Sequence, residues 1–287
     1  MARHKKTNWG DKTLKKETQS IEKRLIPLFG HRNFTTISSQ DWFEFFQNIQ
    51  RTEQIFNRVK KLVSHCRCCY DFAKFQGRIN HNPLDGITKY LDKGSEGNMK
   101  HISIQELPEL IIAIKNYSNP TTSIALELMI LLFPRTQELR FSKWQDFDLE
   151  NKIWSKPSET MKCGIKHLVP LPQQAINLLI KLKEISPVAD YLFPSRDSLT
   201  IPISEATLNK ALIYMGYGGQ QTPHGFRHIA STALNEKFSD KEQVIEACLA
   251  HKKEGEKAVY DKAKHVHERM GIMQWWADYL DSIIMYR

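Results

Sequence analysis

Apolar residues recur every three or four positions along most of this chain, the spacing that lines one face of an α-helix. Ile21, Leu25 and Leu28 form the first such stripe, and Gly30 is its stop signal. Ser39-Gln40-Asp41 opens a second helix with Trp42, Phe45, Phe46 and Ile49 on one side. A third runs from about Thr52 to Phe75, striped by Ile55, Val59, Leu62, Cys66 and Cys69, and Asn82-Pro83 and Gly86 end the region. No alternating strand pattern interrupts these helices. Residues 13–91 therefore read as an all-α domain behind a polar, basic arm at residues 1–12.

The pattern then lapses. Asp92 to Asn98 has two glycines and no apolar side chain, so residues 92–101 read as a linker. Beyond it, Ser103-x-x-Glu106 has capping-box spacing for a helix through Ile114. Ile124–Phe133 is apolar and ends at Pro134; with Glu127 inside it and only ten residues long, it suits a buried helix and not a membrane span. Residues 152–170 change character, with Ile153-Trp154 and His167 to Leu171 as short strand-like pieces. Ala175, Leu178, Leu179 and Leu182 restore the helical period, and further helices are expected at 205–215, 223–237, 241–251 and 256–284. Thr222-Pro223 marks the start of one, with proline at its first position, and Ser239-x-x-Glu242 the start of another. Residues 102–287 thus form a second domain, closed by a long C-terminal helix.

Charge changes the picture. The 287 residues carry a net charge of +9. Residues 1–100 hold 19 Lys and Arg against 10 Asp and Glu, while the rest of the chain holds 22 of each, so the whole excess lies in the first third. Such a segment suits the phosphate backbone of a nucleic acid, although a charge imbalance that only aids solubility would look the same. Five cysteines (Cys66, Cys68, Cys69, Cys163, Cys248) and no secretory signal point to reduced thiols in a cytoplasm. His65 with Cys66, Cys68 and Cys69 makes a poor zinc site, because those helical spacings point in different directions. His224 and His228 lack the glutamate of a metalloprotease helix.

The candidate chemistry lies downstream. Arg135 sits in a tight break after the buried helix. His224 and Arg227 are three apart at the start of another helix, on one face, where free N–H groups add positive potential. Two arginines can clamp the non-bridging oxygens of a phosphate as charge develops on it. Lys162, His251 and Tyr260 complete a set suited to phosphodiester cleavage by a tyrosine hydroxyl. Each residue alone has a plainer reading. Arg135 could pair with Glu138, His224 could cap its helix, His251 could meet a helix dipole, and Tyr260 could be a core tyrosine with a wet hydroxyl. Their joint order and spacing argue against six coincidences.

That order resembles the tyrosine recombinases of the phage integrase family. Residues 132–148 (Leu-Phe-Pro-Arg-Thr-Gln-Glu-Leu-Arg-Phe-Ser-Lys-Trp-Gln-Asp-Phe-Asp) look like the family's first arginine box, and 161–171 like its lysine hairpin. Thr222 to His228 is similar to its His-x-x-Arg box, Leu249-Ala250-His251 to its histidine box, and Val259-Tyr260-Asp261 to its nucleophile box. The C-terminal Met273 to Leu280 resembles prophage-type members. The resemblance implies a mainly α fold with a small antiparallel β-sheet, in which an all-α core-binding domain joins a mixed α/β catalytic domain. It implies that Tyr260 attacks the scissile phosphate to leave a 3′-phosphotyrosine and a free 5′-hydroxyl. Arg135 and Arg227 would bind the non-bridging oxygens, Lys162 would protonate the departing 5′ oxygen, His224 would act as general base and His251 would hydrogen-bond the phosphate. No metal or nucleotide cofactor is needed, because the phosphotyrosine conserves the bond energy.

The partners implied are double-stranded DNA attachment sites and a homotetramer on DNA, with a DNA-bending host factor and an excisionase as possible accessories and no membrane. The location implied is cytoplasmic, at the nucleoid. The stripe Met270, Met273, Trp276 and Leu280 either docks on a neighbouring protomer or packs in its own core. Two departures stand out: the chain starts almost at the core-binding region, as in a member lacking the N-terminal arm-binding domain, and it has Phe133-Pro134 where many members have Gly-Leu. A catalytically silent DNA-binding regulator and a type IB topoisomerase are the alternatives.

Overall fold

In the computed structural model, residues 10–94, 100–157, 166–186, 188–250 and 266–285 are described. The chain divides into two compact units, Met1–Gly97 and Asn98–Arg287.

The described part of the first unit is helical. Helix α1 (Asp11–Arg24) is followed by the single turn α2 (Ile26–Phe29), which Pro27 starts and Gly30 caps. The first stripe thus spans two elements, and Leu28 is exposed. Helix α3 (Ser39–Glu53) begins with a reciprocal capping box between Ser38 and Asp41 and buries Trp42, Phe45, Phe46 and Ile49. The expected 52–75 helix starts later. Gln54 takes a left-handed conformation (φ 55°), so α4 runs Phe56–Phe75. Its buried face is Val59, Leu62, Val63, Cys66, Tyr70 and Ala73, with Cys69 exposed: the true period of 3.6 drifts off a strict three-to-four stripe after Cys66. Cys66 is buried while Cys68 is exposed, so the thiols diverge. Glu17 joins α1 to α4, accepting from Arg58 Nη1 at 2.7 Å and lying 3.0 Å from His65 Nε2. Burial raises the Glu17 pKa, but the bonds from Arg58 and His65 outweigh it and leave it below its usual value.

The second unit packs helices α5 (Leu107–Lys115), α6 (Pro120–Leu132), α7 (Thr136–Arg140), α8 (Gln173–Ile185), α9 (Thr207–Leu212), α10 (Gly225–Lys237), α11 (Glu242–Cys248) and α12 (Val266–Met285) with one sheet. Strands β1 (Phe147–Asp148), β2 (Ile153–Lys156) and β3 (His167–Pro170) are antiparallel in the order β1-β2-β3, with Trp154 opposite Val169 and Lys156 opposite His167. The fold is therefore mainly α with a small antiparallel sheet. Helix α6 is wrapped on all sides, which explains its near-continuous apolar sequence.

Several expected starts shift. Helix α10 begins at Gly225, not Pro223; Thr222 Oγ1 accepts from Gly225 N–H at 3.1 Å. Ser239 does not cap α11, whose N-cap residue is Lys241 without a side-chain bond. The C-terminal stripe is not free to dock elsewhere. Met273, Trp276 and Leu280 are buried in the unit's own core, and Trp276 Nε1 donates to Ile130 O at 3.0 Å. Among the described residues, no helix is long and apolar enough to cross a membrane.

Candidate active site

Three of the six candidate residues lie among those described. Arg135 is the N-cap residue of α7, in the break that Pro134 forces after α6. Its backbone N–H donates to Glu138 Oε2 at 3.0 Å and its Nη1 to Glu138 Oε1 at 2.8 Å. Its Nη2 reaches the Ala250 carbonyl at 3.5 Å. Glu138 is thus Arg135's partner, as one plain reading of the sequence had it.

Glu138 does more than close that pair. It is buried, and its Oε2 also accepts from Lys156 Nζ at 2.7 Å. Burial alone would raise its pKa, but the nearby Lys156 ammonium and the bonds from Lys156 and Arg135 win and hold it at about 2. Lys156 is the residue the sequence reading missed. Strand period places Lys156 on the same face as the buried Trp154, and its ammonium lies 4.4 Å from the Trp154 ring centroid. A lysine at an inward strand position was the signal that could have found it. Burial, offset in part by Glu138, brings its pKa down to about 8, with Arg227 and Arg135 adding to the fall.

Arg227 comes from the first turn of α10 and is 6% exposed. Its Nη1 donates to the Phe133 carbonyl at 3.2 Å, and its buried Nη2 has no hydrogen-bond partner among the described residues. Burial first, then repulsion from Arg135, lowers its pKa to about 10. His224, at the N-cap of α10, is half-buried; burial, Arg227, His228 and Arg135 together hold its pKa below the ordinary value. The imidazole is therefore neutral at pH 7, an acceptor and not a fixed cation. Lys162, His251 and Tyr260 lie outside the described residues. The chain approaches two of them from this cluster: Lys156 and His167 are paired on either side of the segment that contains Lys162, and Ala250 immediately precedes His251.

Two guanidiniums and an ammonium thus surround one carboxylate, and the arginines repel each other. A buried Nη2 without a partner costs free energy unless something binds it. An oxyanion with several acceptor oxygens would answer both conditions. Among the described residues, no group of three or more His, Cys, Asp or Glu side chains could hold a metal ion.

Comparisons with known proteins agree on one family. A model described as the phage integrase family matches residues 100–266. The prophage integrase IntZ of Escherichia coli (strain K12) is 32% identical over 276 residues, covering 96% of this chain and 68% of that protein. At the level of fold alone, the chain is similar to a lambda integrase tetramer bound to a Holliday junction, with a TM-score of 0.68 at 18% identity over 88% of this chain and 74% of that one. It is likewise similar to the Tn1549 transposon integrase in complex with a circular intermediate DNA, with a TM-score of 0.72 at 11% identity over 92% and 98%.

Proposed function

The chain belongs to the phage integrase family and is a tyrosine site-specific recombinase of integration and excision, and from that premise we propose which of its residues carry the reaction and what they act on. The Tyr260 oxygen attacks the scissile phosphorus of a DNA attachment site. The bond to the 5′ oxygen breaks, the 3′ phosphate stays on the tyrosine, and the departing 5′ oxygen takes a proton from Lys162. The tyrosine proton passes to His224, whose neutral imidazole at pH 7 is fit to accept it. Arg135 and Arg227 hold the non-bridging oxygens, and His251 adds a further hydrogen bond. A 5′-hydroxyl from a second duplex then reverses the chemistry and joins the new partner.

The observation that carries this reading is the buried Arg227 Nη2 with no partner among the described residues, beside a second arginine that repels it. A purely structural arginine at this depth would have its donors met by protein acceptors. A phosphate oxygen supplies the missing acceptor and relieves the repulsion between the guanidiniums.

The first unit would serve as the core-binding domain, with exposed Lys60, Lys61 and Lys74 of α4 available to the backbone of DNA. Four protomers on two duplexes, assisted by a DNA-bending host factor and an excisionase, would complete the reaction at the nucleoid. The deciding experiment incubates the wild type and Tyr260→Phe with nicked attachment-site DNA and looks for a denaturation-resistant adduct. An adduct in the wild type alone is expected. An adduct that persists in Tyr260→Phe would refute the assignment of the nucleophile, and binding without an adduct in either protein would favour a silent regulator.

A further inference from the structure

A lysine ammonium held inside a protein is a poor way to gain stability. Its desolvation offsets most of the attraction it gains, and apolar side chains in place of the whole ion pair commonly do as well or better. Lys156 is nevertheless 3% exposed, and its Nζ is fixed on Glu138 Oε2 at 2.7 Å. The other oxygen of that carboxylate is fixed on Arg135 Nη1 at 2.8 Å. Glu138 therefore stands as a bridge between the Arg135 box and the last residue of β2.

The bridge has an electrostatic consequence. With Glu138 as its only charged neighbour, Arg135 would form a closed ion pair and offer a phosphate little net attraction. Lys156 takes up part of the carboxylate's charge, so Arg135 keeps more of its pull on an incoming anion. The bridge also has a geometric consequence. Lys156 is paired with His167 at the open end of the β2–β3 ladder, and the chain between those residues contains Lys162. Anchoring Lys156 to α7 thus anchors the root of the segment that bears the proton donor.

We propose that Lys156 is a positioning residue for DNA cleavage, acting through the shared Glu138 carboxylate to hold the Arg135 guanidinium and the root of the Lys162 segment in register with the phosphate. The proposal rests on the reading of Arg135 as a phosphate clamp. The charged or titratable groups around Lys156 are Glu138 and Arg135 from α7 and its cap, Arg227 from α10 and His167 on the facing strand. Glu138 stays ionised throughout the neutral range, so Lys156 is the member of the bridge that titrates first, near pH 8. Losing that proton leaves Arg135 to neutralise Glu138 alone.

The test measures single-turnover adduct formation by the full chain between pH 6.5 and 9.5, with DNA binding and melting temperature followed in parallel. Lys156→Met is expected to slow adduct formation roughly 10–100-fold, as for residues that orient a reacting group, with DNA affinity within about twofold and a lower melting temperature, because it leaves the buried Glu138 with Arg135 as its remaining hydrogen-bonded cation. Lys156→Arg should restore most of the rate, and the decline expected of the wild type above about pH 8 should vanish from it.

A second substrate separates positioning from proton donation. With a 5′-bridging sulfur the leaving group is a thiol of pKa about 8.5 that departs without an acid. That substrate should rescue Lys162→Ala fully but Lys156→Met only in part, because the Arg135 guanidinium stays out of register. The proposal is overturned by a Lys156→Met enzyme with wild-type rate and pH profile, or by its full rescue on the sulfur substrate, which would leave proton delivery as its only role. Should Lys156→Met fail to fold, a Lys156→Arg enzyme that keeps the wild-type alkaline decline overturns it equally. A separate Arg135→Ala control that keeps the wild-type rate would instead bring down the reading of the clamp.

Discussion

Replacing Arg227 by methionine should make the protein more stable and nearly inactive. The fold lowers the Arg227 pKa by more than two units, from the ordinary arginine range to about 10. At about 1.4 kcal/mol per unit, its charged form therefore bears a penalty of about 3 kcal/mol. Against that stands one charged hydrogen bond to the Phe133 carbonyl at 3.2 Å, worth about 1.5 kcal/mol. Methionine fills much of the same volume, so the net effect is a gain of about 1–2 kcal/mol, or a rise of several degrees in melting temperature for a unit of this size. The same change removes a preorganised donor to the phosphate, and adduct formation should fall by about 10²–10³. Calorimetry in phosphate-free buffer and a quenched adduct assay on nicked DNA read the two effects separately. Inorganic phosphate should also raise the melting temperature of the wild type more than that of the variant. A variant that melts lower than the wild type and forms adduct within threefold of its rate would show that Arg227 is a structural residue.

Two further outcomes follow from the same chemistry. Glu138 is held at about 2 against an ordinary 4.5, so its contribution of about 3 kcal/mol is present above pH 4.5 and lost as pH falls from there towards 2. An acid titration followed by circular dichroism should show Glu138→Gln less stable at pH 7 but flatter across that window; an identical acid transition would contradict the assignment. Replacing Lys60 and Lys61 by glutamine should reduce the slope of log affinity for DNA against log salt by up to about 2, as expected for two lost phosphate contacts. An unchanged slope would place the DNA on another face of the first unit.

The parts of the fold legible in advance were those set by local pattern. The Ser38–Asp41 capping box and the buried Trp42, Phe45, Phe46 and Ile49 needed nothing beyond helical spacing, and Ile153-Trp154 and His167 to Pro170 showed as strands through their composition. The errors arose where distant residues decide. Gln54 breaks a helix by adopting φ 55°, which glutamine rarely does and no pattern announces. Gly225 opens α10 with the Lys100 carbonyl oxygen only 2.5 Å from where a Cβ would stand, a close approach that leaves room for glycine alone. The C-terminal stripe gave no sign of its partner, because an apolar face looks alike whether it meets its own core or a neighbour. The family order of six residues was legible, whereas Lys156 was not, since a lone lysine among short strands reads as surface until its direction is known.

The replacement of Gly-Leu by Phe133-Pro134 is where these levels meet. Phe133 takes the left-handed conformation (φ 36°) that a glycine would adopt without strain, and Ala250 does the same at φ 49°. Each costs about 1–2 kcal/mol. Both residues present their carbonyls to the candidate clamp: Phe133 accepts from Arg227 Nη1, and Ala250 lies within reach of Arg135 Nη2. The two strained peptides therefore hold one amino group of each guanidinium and leave the rest of its fork to other acceptors. Phe133 can bear the strain because its ring is fully buried, which contributes about as much as the conformation costs. Pro134 has no N–H to donate to a helical hydrogen bond, so α6 ends here and the chain turns into Arg135. Burial of the Phe133 ring and the fixed φ of Pro134 thus make this turn without a glycine.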